Sequence, residues 1–209
     1  MPQQIVKTVQ ADLIGITAVA SALQSWSREA NVDKAISGIV MIDFGLDSAT
    51  TPVGTEFRVL TSQEENGDDS WRPLPGCRVV TGTAVPTAII CDAGVALPIG
   101  KGLVGDPILI GAGTPALNDN VFFKHTTIAD SEWVHVEAIV AGTSFTINRG
   151  LRKAQVTGVT VYNKAEHLMI PMNLENIKRI IVNCNNNYAA SSASIVWRAR
   201  LITTEIVTS

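Results

Sequence analysis

Hydrophobic positions fall into two textures along the chain. Near both ends they run in long strand-like stretches, and in the middle they come in short bursts between glycines and threonines. Residues 36 to 46 are almost continuously apolar, the pattern of a strand buried on both faces. Residues 55 to 62 alternate instead: Phe57 and Val59 share one side, Glu56 and Arg58 the other, as in a half-buried strand. At the far end Leu168, Ile170 and Met172 alternate. In the last strand Trp197, Ala199 and Leu201 share a face opposite Arg198 and Arg200. The apolar set is expected in a core, and the arginines toward solvent or a neighbouring subunit.

The first 30 residues fit both helix and strand. Leu13, Ile14, Ile16, Val19 and Leu23 give partial helical spacing, whereas Thr17, Val19 and the isoleucines favour a strand. The reading adopted is an extended N-terminal arm carrying a first strand. Asp47 to Pro52 reads as a loop, and Asn66-Gly67 marks a tight turn because both residues tolerate positive φ. Trp71-Arg72-Pro73-Leu74 belongs at a strand edge, since Pro73 cannot donate to a ladder. The polar run from Cys184 to Ser192 reads as a hairpin loop.

From about residue 80 the strands shorten. Phe122-Phe123, Trp133 to Ile139, Phe145-Thr146-Ile147 and Val159 to Tyr162 are the candidates, with Ala141-Gly142-Thr143 at hairpin spacing. The predicted fold is all-β: an antiparallel, jelly-roll-like β-sandwich formed by N- and C-terminal strands, with an inserted small β-meander or barrel. The boundaries drawn are an arm over 1–30, a sandwich over 31–80 plus 164–209, and an inserted subdomain over 81–163 that should project from it.

Composition narrows the classes of function. The 209 residues suffice for one large or two small β bodies. Hydrophobic residues at 46% and charged residues at 17% exclude a wholly disordered chain, and the low charge is consistent with surface buried against other protein copies. Lysine and arginine are scattered and the net charge is -3, so no basic stripe for nucleic acid is expected. Cys77, Cys91 and Cys184 are odd in number and lack CxxC spacing. They read as small buried residues of a chain folded in a reducing cytoplasm, with no disulfide framework. No signal-peptide pattern and no apolar run of membrane-spanning length are present, so no membrane partner is expected.

Several constellations invite a chemical reading, and each is weak. Gly100-Lys101-Gly102-Leu103-Val104-Gly105 satisfies GxGxxG. Asp106-Pro107 and Gly111-Ala112-Gly113 follow too closely for the helix a dinucleotide site needs, so a structural loop is expected. Asp130, Glu132 and His135 could be imagined around a metal, but strand alternation splits neighbouring side chains between faces. His125 and His167 have no HxH or HExxH companion. Asn118-Asp119-Asn120 lacks the spacing of a calcium loop. Glu64-Glu65 and Asp68-Asp69 sit in one turn and cannot face each other across a cleft. Trp26, Trp71, Trp133 and Trp197 are too dispersed for a carbohydrate platform, and packing roles are expected. No catalytic, cofactor-binding or metal-binding residues are assigned, no cofactor is expected, and the chain is read as a non-enzyme.

A family resemblance adds direction. Ala129-Asp130-Ser131-Glu132-Trp133-Val134-His135-Val136, leading to Gly142-Thr143-Ser144-Phe145-Thr146-Ile147-Asn148-Arg149-Gly150-Leu151, resembles a recurring segment of tailed-bacteriophage virion proteins. Ile36 to Gly45, followed by Glu56 to Val59, resembles the same group, and Ser194 to Leu201 matches loosely. The resemblance spans most of the chain after residue 30 and consists of strand-and-turn patterns without catalytic residues. It implies a virion structural protein, assembled in the host cytoplasm, most simply a capsid decoration or cement protein bridging capsid subunits. Its partners would be the major capsid protein or other virion proteins, together with copies of itself in a homo-oligomer such as a trimer. A head–tail connector, tail component or fibre adaptor is the alternative, and a glycan-binding receptor module a further one. A hydrolase finds no supporting constellation.

Overall fold

The structure is a computed structural model and describes residues 4–20, 23–47, 54–65, 71–81, 86–187 and 194–208. Three β assemblies account for nearly all of it. The first sheet has four antiparallel strands in the order β1 (Gln4–Val19), β15 (Ile195–Thr208), β4 (Ala35–Leu46), β13 (Glu166–Asn173). The second runs β2 (Gln24–Trp26), β14 (Arg179–Asn186), β5 (Thr55–Ser62), β6 (Arg72–Thr81), and β3 (Ala30–Asn31) also pairs with β14. Between β6 and β13 six short strands close into a barrel: β7 (Ala88–Cys91), β8 (Ile108–Ala112), β9 (Asn120–Phe123), β10 (Glu132–Val140), β11 (Ser144–Ile147) and β12 (Thr160–Asn163). The expected all-β sandwich with an inserted barrel is therefore the observed architecture.

The two sheets share one core because alternation delivers apolar side chains to facing surfaces. Phe44 from β4, Phe57 from β5 and Trp197 from β15 are fully buried. Their rings stack in sequence, with centroids 5.3 Å apart for Phe44–Phe57 and 5.7 Å for Phe57–Trp197. Ile42, Leu201 and Ile170 extend this layer on the first sheet, and Val59, Val182 and Cys184 on the second. The alternation in β5 is correct for Phe57 and Val59, but Glu56 is also buried. Its carboxylate accepts hydrogen bonds from Arg58 and from Arg78 across the ladder on β6.

The N-terminal segment, read as an extended arm carrying a first strand, forms that strand within the first sheet. Gln4 to Val19 forms the edge strand of the first sheet, paired with β15 from Gln4↔Thr208 to Val19↔Ile195. Irregularities between Asp12 and Thr17 bend it, and Leu13 and Val19 enter the core. Apolar partners late in the chain convert an ambiguous segment into sheet. Residues Cys184 to Asn186, expected in a loop, complete β14, and Cys184 is buried. The Asn66-Gly67 turn and residues 188–193 lie outside the described residues.

The barrel is filled rather than hollow. Ile89, Ile108, Val121, Phe123, Val134, Val136, Phe145, Ile147 and Val161 point inward and are essentially inaccessible. Small barrels are packed in this way by alternate strand residues. Strands β7 and β8 lie among glycines and have no counterpart among the predicted elements. Asn163 closes the neck where the chain enters and leaves. Its Oδ1 accepts from the Thr87 N–H at 2.6 Å, and its Nδ2 donates to Asp119 at 2.9 Å.

The barrel does not simply project. Its β9–β10 side lies on the outer face of the first sheet, where Phe122, Trp133, Ala165 and Val196 form a small third core with Ile16 and Ile128. Gly45 on β4 leaves room for the Phe122 ring. Asp47 adds polar ties: it accepts from the Ser194 N–H and hydroxyl and pairs with Lys124 at the end of β9.

Candidate functional site

The sequence candidates are dispersed by the fold. The GxGxxG run forms part of the β7–β8 loop, and no helix follows it before β8 begins at Ile108. Its amides are occupied within the protein: Gly100 N–H donates to Leu151 and Gly102 N–H to Asp106. Lys101 pairs with Asp106. Gly102 has φ 106°, and a Cβ there would meet Ile147 Cγ1 at 2.7 Å, so this glycine serves packing and backbone geometry.

Asp130, Glu132 and His135 each bind something else. Asp130 pairs with Lys153 at 3.0 Å, and His135 Nδ1 lies 3.1 Å from Asn120 Oδ1. The buried Glu132 carboxylate accepts from Arg149 at 2.7 Å and from the backbone N–H groups of Arg152 and Lys153 at 3.0 Å. Among the described residues no three His, Cys, Asp or Glu side chains converge as a metal site requires. Asp119, from the calcium-like tripeptide, accepts from Ala116 N–H, Asn163 and Lys164. Burial raises its pKa, and these donors more than offset that, leaving it below the ordinary carboxylate value. Glu65 is exposed and pairs with Lys178, while Asp68 and Asp69 lie outside the described residues. His125 Nδ1 accepts from the Thr127 N–H.

The tryptophans separate as well. Trp197 is core, Trp26 is exposed on β2, and Trp71 lies under the Arg179 guanidinium at 4.9 Å. Trp133 belongs to the contact between barrel and first sheet, with the Arg198 guanidinium 5.2 Å from its ring centroid.

A different constellation emerges where the barrel leans over the first sheet. A cleft of about 500 Å³ opens between them. The sheet supplies Asp43, His167, Met169, Arg198 and Arg200, and the barrel supplies Asn120, Trp133, His135, Arg149 and Arg152. The sheet wall follows from register. Asp43 on the central strand β4 stands opposite Arg198 on β15 and His167 on β13, so three polar side chains form one row across three strands. Asp43 accepts from both neighbours, and Arg200 Nη2 approaches it at 3.6 Å. Burial pushes the Asp43 pKa up, but the hydrogen bond from His167 and the charge and hydrogen bond of Arg198 outweigh this and hold it below the usual carboxylate range.

Four guanidinium groups thus line one cleft, whose lining carboxylate, Asp43, is already bound to Arg198, while Arg149 holds Glu132 in the adjoining pocket. Sequence alternation correctly puts Arg198 and Arg200 on the face away from the core, but that face meets the barrel. Arg149 and Arg152 follow β11 and come from about 50 residues away in sequence. Their convergence could not be read from local spacing, because it depends on how the insertion folds back.

Comparison with protein-family models and with curated protein sequences gives no match. Among solved structures the chain has a likeness to VP17, a capsid protein of bacteriophage P23-77, at 9% identity over 100% of both chains and a TM-score of 0.22. A likeness at that level carries no argument about fold or function.

Proposed function

We propose that this chain is a structural, non-enzymatic subunit of a phage particle, a decoration or cement protein that binds the capsid shell and bridges its subunits. The observation that carries this reading is the apolar tip of the barrel. Val104 is 88% exposed and Ile99 68%, both on the β7–β8 loop, and Val156 is exposed on the β11–β12 loop at the same barrel end. The isolated bridge between Leu97 and Gln155 ties these loops together. Three aliphatic side chains held out by a packed barrel gain free energy when a neighbouring protein covers them, at about 25 cal/mol per Å² of apolar area. The resemblance of residues 129–151 to tailed-phage virion segments supports the same reading, and the open edges of both sheets allow further lateral contacts.

The test is reconstitution. Purified protein is mixed with empty capsids of the phage that encodes it, sedimented, and counted per particle. Copies in the hundreds are expected. Copies in multiples of six or twelve would move the protein to the neck or tail, and no co-sedimentation would defeat the decoration reading. Val104→Asp should abolish association while leaving the fold intact, because the side chain touches solvent.

A further inference from the structure

We propose that the cleft between the first sheet and the barrel binds an acidic, extended segment of another protein chain. The inference does not depend on a virion role and stands on the cleft itself. Charge is the first ground. The chain as a whole carries a net charge of -3, yet this cleft gathers Arg149, Arg152, Arg198 and Arg200. Asp43, which lines the cleft, is bound to Arg198, and Glu132 beside it to Arg149, which leaves two of the four charges uncompensated by these carboxylates. Holding like charges together is unfavourable unless a counter-charge arrives. Asp12 stands opposite Arg200 in register on β1, with no ion pair between them.

Unused bonding capacity is the second ground. The Arg152 backbone N–H is bound to Glu132, but its exposed guanidinium makes no hydrogen bond or ion pair among the described residues. Arg200 reaches Asp43 at 3.6 Å, beyond hydrogen-bond distance, and its buried Nε has no partner. Arg149 and Arg198, by contrast, each grip a carboxylate. A guanidinium offers a planar fork that matches a carboxylate, so Arg152 and Arg200 are matched to two further carboxylates.

The third ground distinguishes a peptide from a free anion. One rim of the cleft is β13, the edge strand of its sheet, through His167, Leu168 and the exposed Met169. The outward main-chain groups of that strand pair with no strand among the described residues. An extended peptide can pair along such an edge and turn every second side chain, a carboxylate, past Met169 toward the arginines. Inorganic phosphate could use the arginines alone.

The test uses the full chain and a fluorescent Glu-Val repeat peptide, followed by anisotropy at low ionic strength. A Gln-Val repeat serves as the neutral control. The acidic peptide should bind and the neutral one should not. Arg152→Gln and Arg200→Gln should each weaken binding about tenfold, the scale of one lost charge-assisted hydrogen bond. Lys34→Gln, on an exposed turn outside the cleft, should leave it unchanged. Arg152→Lys keeps the charge and loses the fork, so it should fall between wild type and the glutamine variant. Thermal melts check folding, and Arg152, being exposed, remains a valid reading should Arg200→Gln unfold. Equal binding of both peptides, or no loss with Arg152→Gln, overturns the proposal. So does complete displacement by inorganic phosphate at constant ionic strength, which would leave a simple oxyanion site.

Discussion

A Cβ on Gly45 would lie 2.5 Å from Cγ of Phe122. The absence of a side chain at one position of β4 therefore allows the barrel to rest on the sandwich. Phe122 cannot retreat easily, since it is fully buried and its ring centroid is 5.2 Å from that of Trp133. Gly45→Ala is expected to destabilise the protein by about 1–3 kcal/mol, the usual cost of overpacking a filled site. Chemical denaturation measures it. Gly15, around which a new Cβ would meet nothing within 4 Å, is the matched control and should lose far less.

Glu56 makes the stability acid-sensitive. Hydrogen bonds from Arg58 and then Arg78 hold its pKa at about 2, below the ordinary glutamate value of 4.5, against the upward push of burial. A carboxyl depressed in the folded state contributes stability above the unfolded pKa, and that contribution is lost as pH falls from about 4.5 toward 2. Because both arginine side chains are well exposed, solvent screening limits the effect to about 1 kcal/mol. Denaturation of wild type and Glu56→Gln should differ by a constant amount above pH ~5 and converge below it. A difference independent of pH would remove the ion pairs as its cause.

The three cysteines should be silent in the folded protein. All are buried and free, and burial raises each thiol pKa, that of Cys91 to about 12 and that of Cys184 further still. Cys77 moves in the same direction. Since the thiolate is the reactive form, a chromogenic disulfide reagent at neutral pH should label none of them natively and all three after unfolding. Rapid native labelling would show that one of the sheets opens locally.

Removing residues 1 to 25 should damage the fold and not merely its associations. The deletion strips β1 from the whole length of β15 and takes Leu13 and Val19 out of the core. A smaller change isolates the core term: Leu13→Ala is expected to cost about 2–4 kcal/mol. Thermal unfolding of the two variants provides the comparison. An unchanged midpoint in the deletion would show that β1 adds nothing to the stability of the fold.

The sandwich was legible because β4 is almost continuously apolar and the apolar positions of β5, β13 and β15 recur with a period of two. The Phe57/Val59 and Trp197/Ala199/Leu201 sets name the core directly, and Pro73 places β6 at a sheet edge. The fate of the first strand was not, since its partner lies almost 200 residues away and a locally ambiguous pattern cannot choose between arm and sheet. Strands β7 and β8 were hidden by flanking glycines, whose value is in packing and positive φ and not in strand propensity. The arginine cleft was illegible for a further reason. Arg198 and Arg200 could be assigned a face, but what covers that face is decided by a 76-residue excursion, from Ala88 to Asn163, returning onto its own sheet.

The pairing of β1 with β15 also sets an order of events during synthesis. β1 waits for β15, while every strand of the barrel precedes β13 in the chain. The barrel can close while the ribosome is still producing its partners, but the second sheet waits for β14 and the first for β15. Until then β1 lacks its only strand partner, β4 has at most β13 beside it, and β5 has β6 alone. The nascent chain is thus most prone to aggregation before β15 is made, and slow completion of β14 and β15, not the chemistry of any site, would set its yield.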